Sequence, residues 1–555
     1  MTFSPRTFAP VTAVATTRPV LPNASELAAT NVELRFAATL EPYSEDTSGT
    51  VTLRLADGGF CTEPTDTPAS TCFEGRLTEP LRLSRRTSGS TYGGRSSLRS
   101  ASLRFALVDR ALRIGANTYT PRTLLSRLAL DGRAVEVRAV FGGDFANGIV
   151  VFKGTAEDWA RARNGEIEVT LRGIGYRLVT PLQPSTYAGT GGLEGPEDLE
   201  GQRYPVCLGL VFNIQPVPVV PGELLFQIHT DADGNGAPIQ EVIAARIGGV
   251  PVIVDTGYAN VTELRAAVLA PGTLGVSLSD GYCRLAVTPG ADLTMDVRGG
   301  VFNGEYTELP GSLMRIVAQH YGPRLAASEI NPGAFRTIDA EAPWPVGRFY
   351  GPADNDTAED FLDEAAEAVE GSWGDARDGR LEAFVVRAPG VIPVIKFTSP
   401  HVAERSFSFL NPPSDVRPAL REVTVGFQQN YTPGGDIAAS VSQADRLRFE
   451  TEWETSVASQ TLTQHAEART FRRNTILATR AGAEGLRDAL LALADGRTRR
   501  VSWRASHKAL AARPGMTVDV TVPDEGYEAE PVRLTGADFS ARSLTFSLEG
   551  IVRDG

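Results

Sequence analysis

The chain alternates apolar and polar residues over short runs, each closed by turn residues, which is the pattern of half-buried β-strands. From Leu98 to Leu107 the alternation puts Ala101, Leu103, Phe105 and Leu107 on one face, and Val135, Val137, Ala139 and Phe141 repeat it. The dipeptide Asn164–Gly165 precedes a run holding Ile167, Val169 and Leu171. Asn-Gly between alternating runs predicts a hairpin. Earlier strand-like runs lie at 31–39 and 50–55, and a loop from Asp57 to Gly75 carries Cys61 and Cys72. Residues 85–97 are polar and Gly-rich and predict an exposed loop. Pro121 with Leu124, Leu125 and Leu128 predicts one short helix, closed by Asp131–Gly132. Residues 32–180 thus read as a mostly antiparallel sheet or barrel.

Strand patterns return at 224–228, 251–254, 275–279 and 282–287, and between 301 and 400 the pattern turns mixed. Ser312 to His320 predicts a short helix ended by Gly322. Thr357 to Glu370 predicts a better one, with Thr357 as N-cap, acid in its first turn and Gly371 as C-cap. Its apolar stripe is Phe361, Leu362, Ala365, Ala366 and Val369. A hairpin turning at Asp378–Gly379 follows. The last part predicts a strand at 422–427, a helix with Leu486, Leu490 and Leu493 in line, and strands at 517–522, 532–534 and 544–548. No fixed-period repeat is visible, although strand, turn and strand with one short helix occurs at 98–180 and again at 420–550.

The expected organisation is a flexible arm at 1–30, a β-domain at 31–180 and an irregular Pro- and Gly-rich linker at 181–222. A β-rich insertion follows at 223–300, a mixed α/β section at 301–415 and a second β-domain at 416–555. The fold class is β-rich α+β, multidomain.

Composition narrows the function. With 54 basic and 67 acidic residues the formal charge is −13, and no basic stripe marks a nucleic-acid footprint. An acidic surface repels DNA and anionic lipid and keeps an assembly subunit soluble. The longest apolar stretch, Leu208 to Val220, is broken by Asn213, Gln215, Pro216 and Pro218, so neither sequence-specific nucleic-acid binding nor stable membrane insertion is expected. The first 25 residues lack the basic and apolar regions of a signal peptide.

The candidate chemical motifs fall short of their templates. Asp231, Asp233, Asn235 and Gly236 open like a calcium loop, but position 12 is Val242, with Glu241 one place early, so an Asx-rich turn is the expectation. Gly189, Gly191, Gly192 and Gly195 lack the strand–turn–helix context of a phosphate loop, and Pro196 follows them. His229, His320, His401, His465 and His507 form no metal pair at helical spacing, and no Gly-x-Ser-x-Gly elbow occurs. Asp363 and Glu364 read as the solvated face of a helix. Cys61 and Cys72 are expected to lie close in space, as free thiols, as a disulfide, or with Cys207 and Cys283 as a zinc or iron–sulfur site. The expectation is no catalytic, cofactor-binding or metal site and no cofactor.

Several phrases in order resemble one family. They are Phe60-Cys61-Thr62 with 66–69 and 76–80, the turn Asp131-Gly132-Arg133, and Tyr187 to Thr190 with Leu193 to Gly195. Tyr204 to Gly209, Phe212 to Pro216, Leu293 to Gly299, Trp373 with Asp378 to Leu381, and Val423 to Phe427 with Asn430-Tyr431 complete the set. Together they resemble the baseplate hub and tail-tip proteins of tailed phages, prophage-derived particles and gene transfer agents. The chain departs from the resemblance at Cys72, where an aromatic residue is expected at least as often. The resemblance implies tube-like antiparallel β-barrel domains near both ends, with a mixed α/β section between them. It also implies a homotrimer whose two similar domains per chain match a six-fold tube. Such a virion structural protein sits in the tail tip or baseplate, assembled in the host cytoplasm. Its partners are the tail tube or a distal tail protein, tail fibre or spike proteins and the tape-measure protein, and it forms part of the DNA exit channel. The rival expectations are a tail-associated cell-wall hydrolase seated at 301–400, or a receptor- or glycan-binding tip exposing Trp344, Tyr350 and Trp373.

Overall fold

A computed structural model describes residues 33–553 apart from 88, 95, 108–110, 163–164, 391–392, 394 and 435–436. The arm at 1–30 and Asn164 of the expected turn therefore lie outside the described residues. The chain is a β-rich, multidomain α+β protein whose largest sheet has 17 strands.

Twelve strands of that sheet form two units. The first contains β1 (Leu34–Leu40), β2 (Leu77–Thr87), β3 (Ser96–Phe105), β4 (Ala134–Phe141), β5 (Asp144–Arg161) and β6 (Ile167–Arg172). They pair antiparallel in the order β2-β3-β6-β5-β4-β1. The alternation seen in the sequence is the cause: Ala101, Leu103, Phe105, Val135, Val137, Ala139, Phe141, Ile167, Val169 and Leu171 are all buried in one core. The helix Pro121–Arg127 lies between β3 and β4, with Thr120 as N-cap in a capping box with Thr123.

The second unit contains β7 (Ile395–Phe397), β8 (Ser408–Leu410), β9 (Thr498–Ala505), β10 (Thr517–Val522), β11 (Tyr527–Ser540) and β12 (Thr545–Arg553). Its order is β8-β9-β12-β11-β10-β7, the order of the first unit with each strand replaced by its mate six places on. A short 3₁₀ helix, His507–Ala511, takes the place of Pro121–Arg127. One pairing differs in sense, since β7 runs parallel to β10 whereas β1 is antiparallel to β4. The two β-units are thus repeats of one strand order, linked by the pairing of residues 82–86 with 540–536 into one curled half-barrel sheet.

The middle of the chain packs on other cores. Residues 206–214, expected as part of an irregular linker, form an inner strand of a ten-stranded sheet. Eight of those nine residues are buried, and a strand covered on both faces shows no period-two pattern to read. The helices Pro310–His320 and Ala358–Glu367 lie with the hairpin 371–385 on the second core. The latter helix has the expected Thr357 cap, but it ends at Ala368. Glu370 takes the positive φ, and Gly371 already begins the hairpin. Residues 420–427 and the helix Arg480–Leu493 join this same core and are inserted between β8 and β9.

Candidate functional site

The first unit meets the second along one strand. β2 pairs with β3 over its length, and its residues 82–86 also pair with 540–536 of β11. Leu83 stands opposite Phe539, and both are buried. The polar residues that follow carry an ion-pair seam. Ser84 Oγ donates to Asp538 at 2.8 Å, and Arg86 Nε donates to the same carboxylate at 3.0 Å. Arg86 also pairs with Glu549 at 2.6 Å, and Arg500 reaches Glu549 at 3.4 Å. The Asp538 carboxylate hydrogen-bonded to Arg86 raises the guanidinium pKa and holds it charged. Arg85, buried on the other side, pairs with buried Glu382 of the hairpin at 2.8 Å. One strand therefore ties together both β-units and the mixed section.

The stretch after β2 extends this seam. The expectation of an exposed loop at 85–97 is corrected: residues 85–87 complete β2, and Thr91, Tyr92 and Gly93 are buried. The polar groups find partners far along the chain. Gly93 N–H donates to Glu370 Oε1 at 2.6 Å, and Arg473 donates to Glu370 Oε2 and Thr91 Oγ1, each at 2.7 Å. Buried polar groups are tolerated when so paired, and such pairing is invisible to a local reading. Position 93 must be glycine, because a Cβ there would lie 2.8 Å from the Gly371 carbonyl oxygen.

The other candidate residues lie outside this seam, and several of them meet one another: His229, Asp231, Asp233, Gly236 and His320 line one pocket. Asp231 accepts the backbone N–H groups of Asp233 and Asn235, both at 2.9 Å, in an Asx-rich turn. Glu241 pairs with Arg298 at 2.7 Å, and Val242 is buried. Gly189 to Gly195 is an irregular turn in which Glu194 accepts the Tyr204 hydroxyl at 2.7 Å. Among the described residues no group of three or more His, Cys, Asp or Glu is placed to hold a metal. His229 is buried, accepts the Cys207 N–H at Nδ1, and is pushed down by burial to about 3, so its ring stays neutral.

Three expectations need correction. Asp363 is not simply solvated: it accepts the indole N–H of buried Trp373 at 2.6 Å. Its neighbour Glu364 pairs with Arg348 at 3.1 Å, and burial raises its carboxyl to about 7 against the pull of that guanidinium. The helix face carrying both is only partly exposed and meets β-structure. Tyr350 and Trp373 are buried and Trp344 is half-buried, so the aromatics expected at a glycan-binding tip are not exposed. Cys61 and Cys72 lie close in space, as expected, and form a disulfide joining the paired strands Phe60–Cys61 and Cys72–Gly75, with Cα atoms 3.9 Å apart. The expected 57–75 loop is thus a short hairpin, and Cys207 and Cys283 remain free and buried.

What the sequence reading missed is the seam itself. Its signal was weak but present: two adjacent arginines, Arg85 and Arg86, at the end of an apolar strand and far from any local acid partner.

No protein-family model and no curated protein matches the chain. Among solved structures it is similar to the 43 kDa tail protein of prophage MuSo2 from Shewanella oneidensis, at 10% identity and a TM-score of 0.36, covering 87% of this chain and 96% of that one. It is similar to the tail protein from Neisseria meningitidis MC58 at 12% identity and a TM-score of 0.34, covering 94% and 96%. A chain of the virion of a native gene transfer agent particle matches at 11% identity and a TM-score of 0.39, covering 64% and 85%.

Proposed function

We propose that the chain is a structural hub of a phage-type tail tip or baseplate. Three copies form a ring that joins the tail tube, or a distal tail protein, to fibre or spike proteins and surrounds part of the DNA exit channel. The observation that carries this reading is the repeated six-stranded unit. One chain offers two units of the same strand order, held in fixed relation by β2 and its ion pairs. Three chains then present six near-equivalent positions, which suits a six-fold tube. The tape-measure protein and DNA would pass through the ring, and the net charge of −13 favours a lumen to which DNA does not stick. The chain carries no catalytic constellation in this reading, and its place is the virion.

Mass photometry of the purified chain tests the assembly, and peptidoglycan and glycan assays test the rivals. The expected result is three times the chain mass with no turnover and no glycan retention. Turnover of peptidoglycan that is lost in Glu364→Gln would overturn the structural reading in favour of a hydrolase.

A further inference from the structure

We infer that the outer edge of β8 docks a second copy of this chain. It pairs with residues 159–162 of that copy's β5 region, in the register by which β2 pairs with β11 within one chain. The inference rests on the hub reading and specifies how its ring is joined.

The argument is one of mated positions. Leu83 on β2 stands opposite Ala101, and Phe409 on β8 stands opposite Val501. Ala101 and Val501 are mates in turn, being opposite Leu171 on β6 and Gly550 on β12. Phe409 is therefore the counterpart of Leu83. The same test pairs Arg161 with Phe539, because they stand opposite the mates Ile167 and Phe546. β5 and β11 even share a one-residue bulge at mated places, between Ala156 and Asp158 and between Leu534 and Gly536. Leu83 faces Phe539 inside the chain, so Phe409 is fitted to face Arg161 of another. Leu410 would then face Ala160, and Ser408 would face Ala162.

Both strands needed for this contact have an open side. β10 pairs with β11 as far as Arg533, and β2 takes over from Gly536. β4 likewise pairs with β5 as far as Thr155, and only a single bridge from Asp131 to Ala156 continues it. Beyond that, no second strand among the described residues lies on β5. Glu157, Asp158, Ala160 and Arg161 are exposed, whereas Gly536, Ala537 and Phe539 are buried under β2. Among the described residues β8 pairs only with β9, and Phe409 is 54% exposed where its mate Leu83 is 5% exposed. An apolar residue on an unpaired strand edge invites a strand from another chain.

A second copy is the occupant the repeat specifies, because its β5 is the one surface mated to β11. The contact is heterologous, so it closes into a ring only if each of six junctions, three within chains and three between, turns by about 60°. The two kinds of junction also differ in strength. Asp538, which takes Ser84 and Arg86 inside the chain, has Ala160 as its mate, and Arg86 has Pro412. The junction between copies lacks these ion pairs and relies on the strand ladder and Phe409. It forms on assembly, whereas the inner one forms on folding.

Paired cysteines test the register. Leu410→Cys with Ala160→Cys, Phe409→Cys with Arg161→Cys, and Ser408→Cys with Ala162→Cys are each placed in one chain. Ser408→Cys with Asp158→Cys is the out-of-register control. The native cysteines are bridged or buried and give little background. On mild oxidation the expected result is a covalent closed trimer for at least one in-register pair and none for the control. Phe409→Glu is expected to convert trimers to monomers that keep the circular-dichroism spectrum of the wild-type chain. A trimer that no in-register pair cross-links overturns this inference and leaves the hub reading standing. A wild-type monomer overturns both, and covalent chains longer than three overturn the closed ring.

Discussion

The two six-stranded units share one strand order but differ in what covers their leading strand. In the first, β2 lies between β3 and β11, with Leu83 buried and Arg85 and Arg86 ion-paired. In the second, β8 has one neighbour among the described residues, and Phe409 is half exposed. The same topology thus yields a sealed junction and an open one, and the difference lies in the side chains that the strand presents. A strand end rich in charge can be buried only if its partners are already supplied, as Asp538, Glu549 and Glu382 supply them here.

The largest effect on this contrast is expected at the buried carboxylate behind the sealed junction. Glu370→Ala strips Arg473 and the Gly93 amide of their acceptor and should cost about 3–5 kcal/mol of stability, read by denaturant unfolding. A loss under about 1 kcal/mol would mean that this buried pairing does not anchor the stretch after β2 to the mixed section.

Next comes the direct comparison of mates. Leu83→Ala should destabilise the folded monomer by about 2–4 kcal/mol, because it opens a cavity in the shared core. Phe409→Ala should cost about 1 kcal/mol or less, as expected for a residue half in solvent. Equal losses would erase the distinction between the two strands.

The hairpin beside the first unit gives a third measurement. Removing the disulfide with Cys61→Ser and Cys72→Ser frees a short loop and should cost about 2–3 kcal/mol. Mass photometry should show the assembly unchanged, since neither residue lies on an inferred contact.

The last effect concerns pH and the mixed section. Glu364 has a folded pKa raised to about 7, above the usual carboxylate value. Such a group contributes its stability below its unfolded pKa and loses it as pH rises through the folded one. Glu364→Gln should therefore gain on wild type between about pH 4.5 and 7, by on the order of 1–2 kcal/mol once solvent screening is discounted. Melting temperatures across that range check the sign, and a variant that falls further behind as pH rises contradicts it.

Much of the β-units was legible in the sequence because their strands are half-buried. Ala101, Leu103 and Phe105 alternate, and so do Val135, Val137 and Ala139, since every second residue meets water. Residues 206–214 were not legible, because both faces are covered and the alternation disappears. The repeat escaped a search for a fixed period for a different reason. Leu83 and Phe409 are 326 positions apart, whereas Ala101 and Val501 are 400 apart, because residues 411–497 are inserted between β8 and β9. Pairing order keeps the repeat while sequence spacing loses it. The seam was illegible because Arg86 and Asp538 are 452 residues apart, and Glu370 and Arg473 come together only in the folded chain.

Electron cryomicroscopy of the purified chain tests the central claim most directly. The account predicts rings of three-fold symmetry with six similar β-lobes, in which three junctions carry the β2–β11 contact and three the β8–β5 contact. Isolated monomers, or a ring whose lobes do not alternate between the two units, would contradict it.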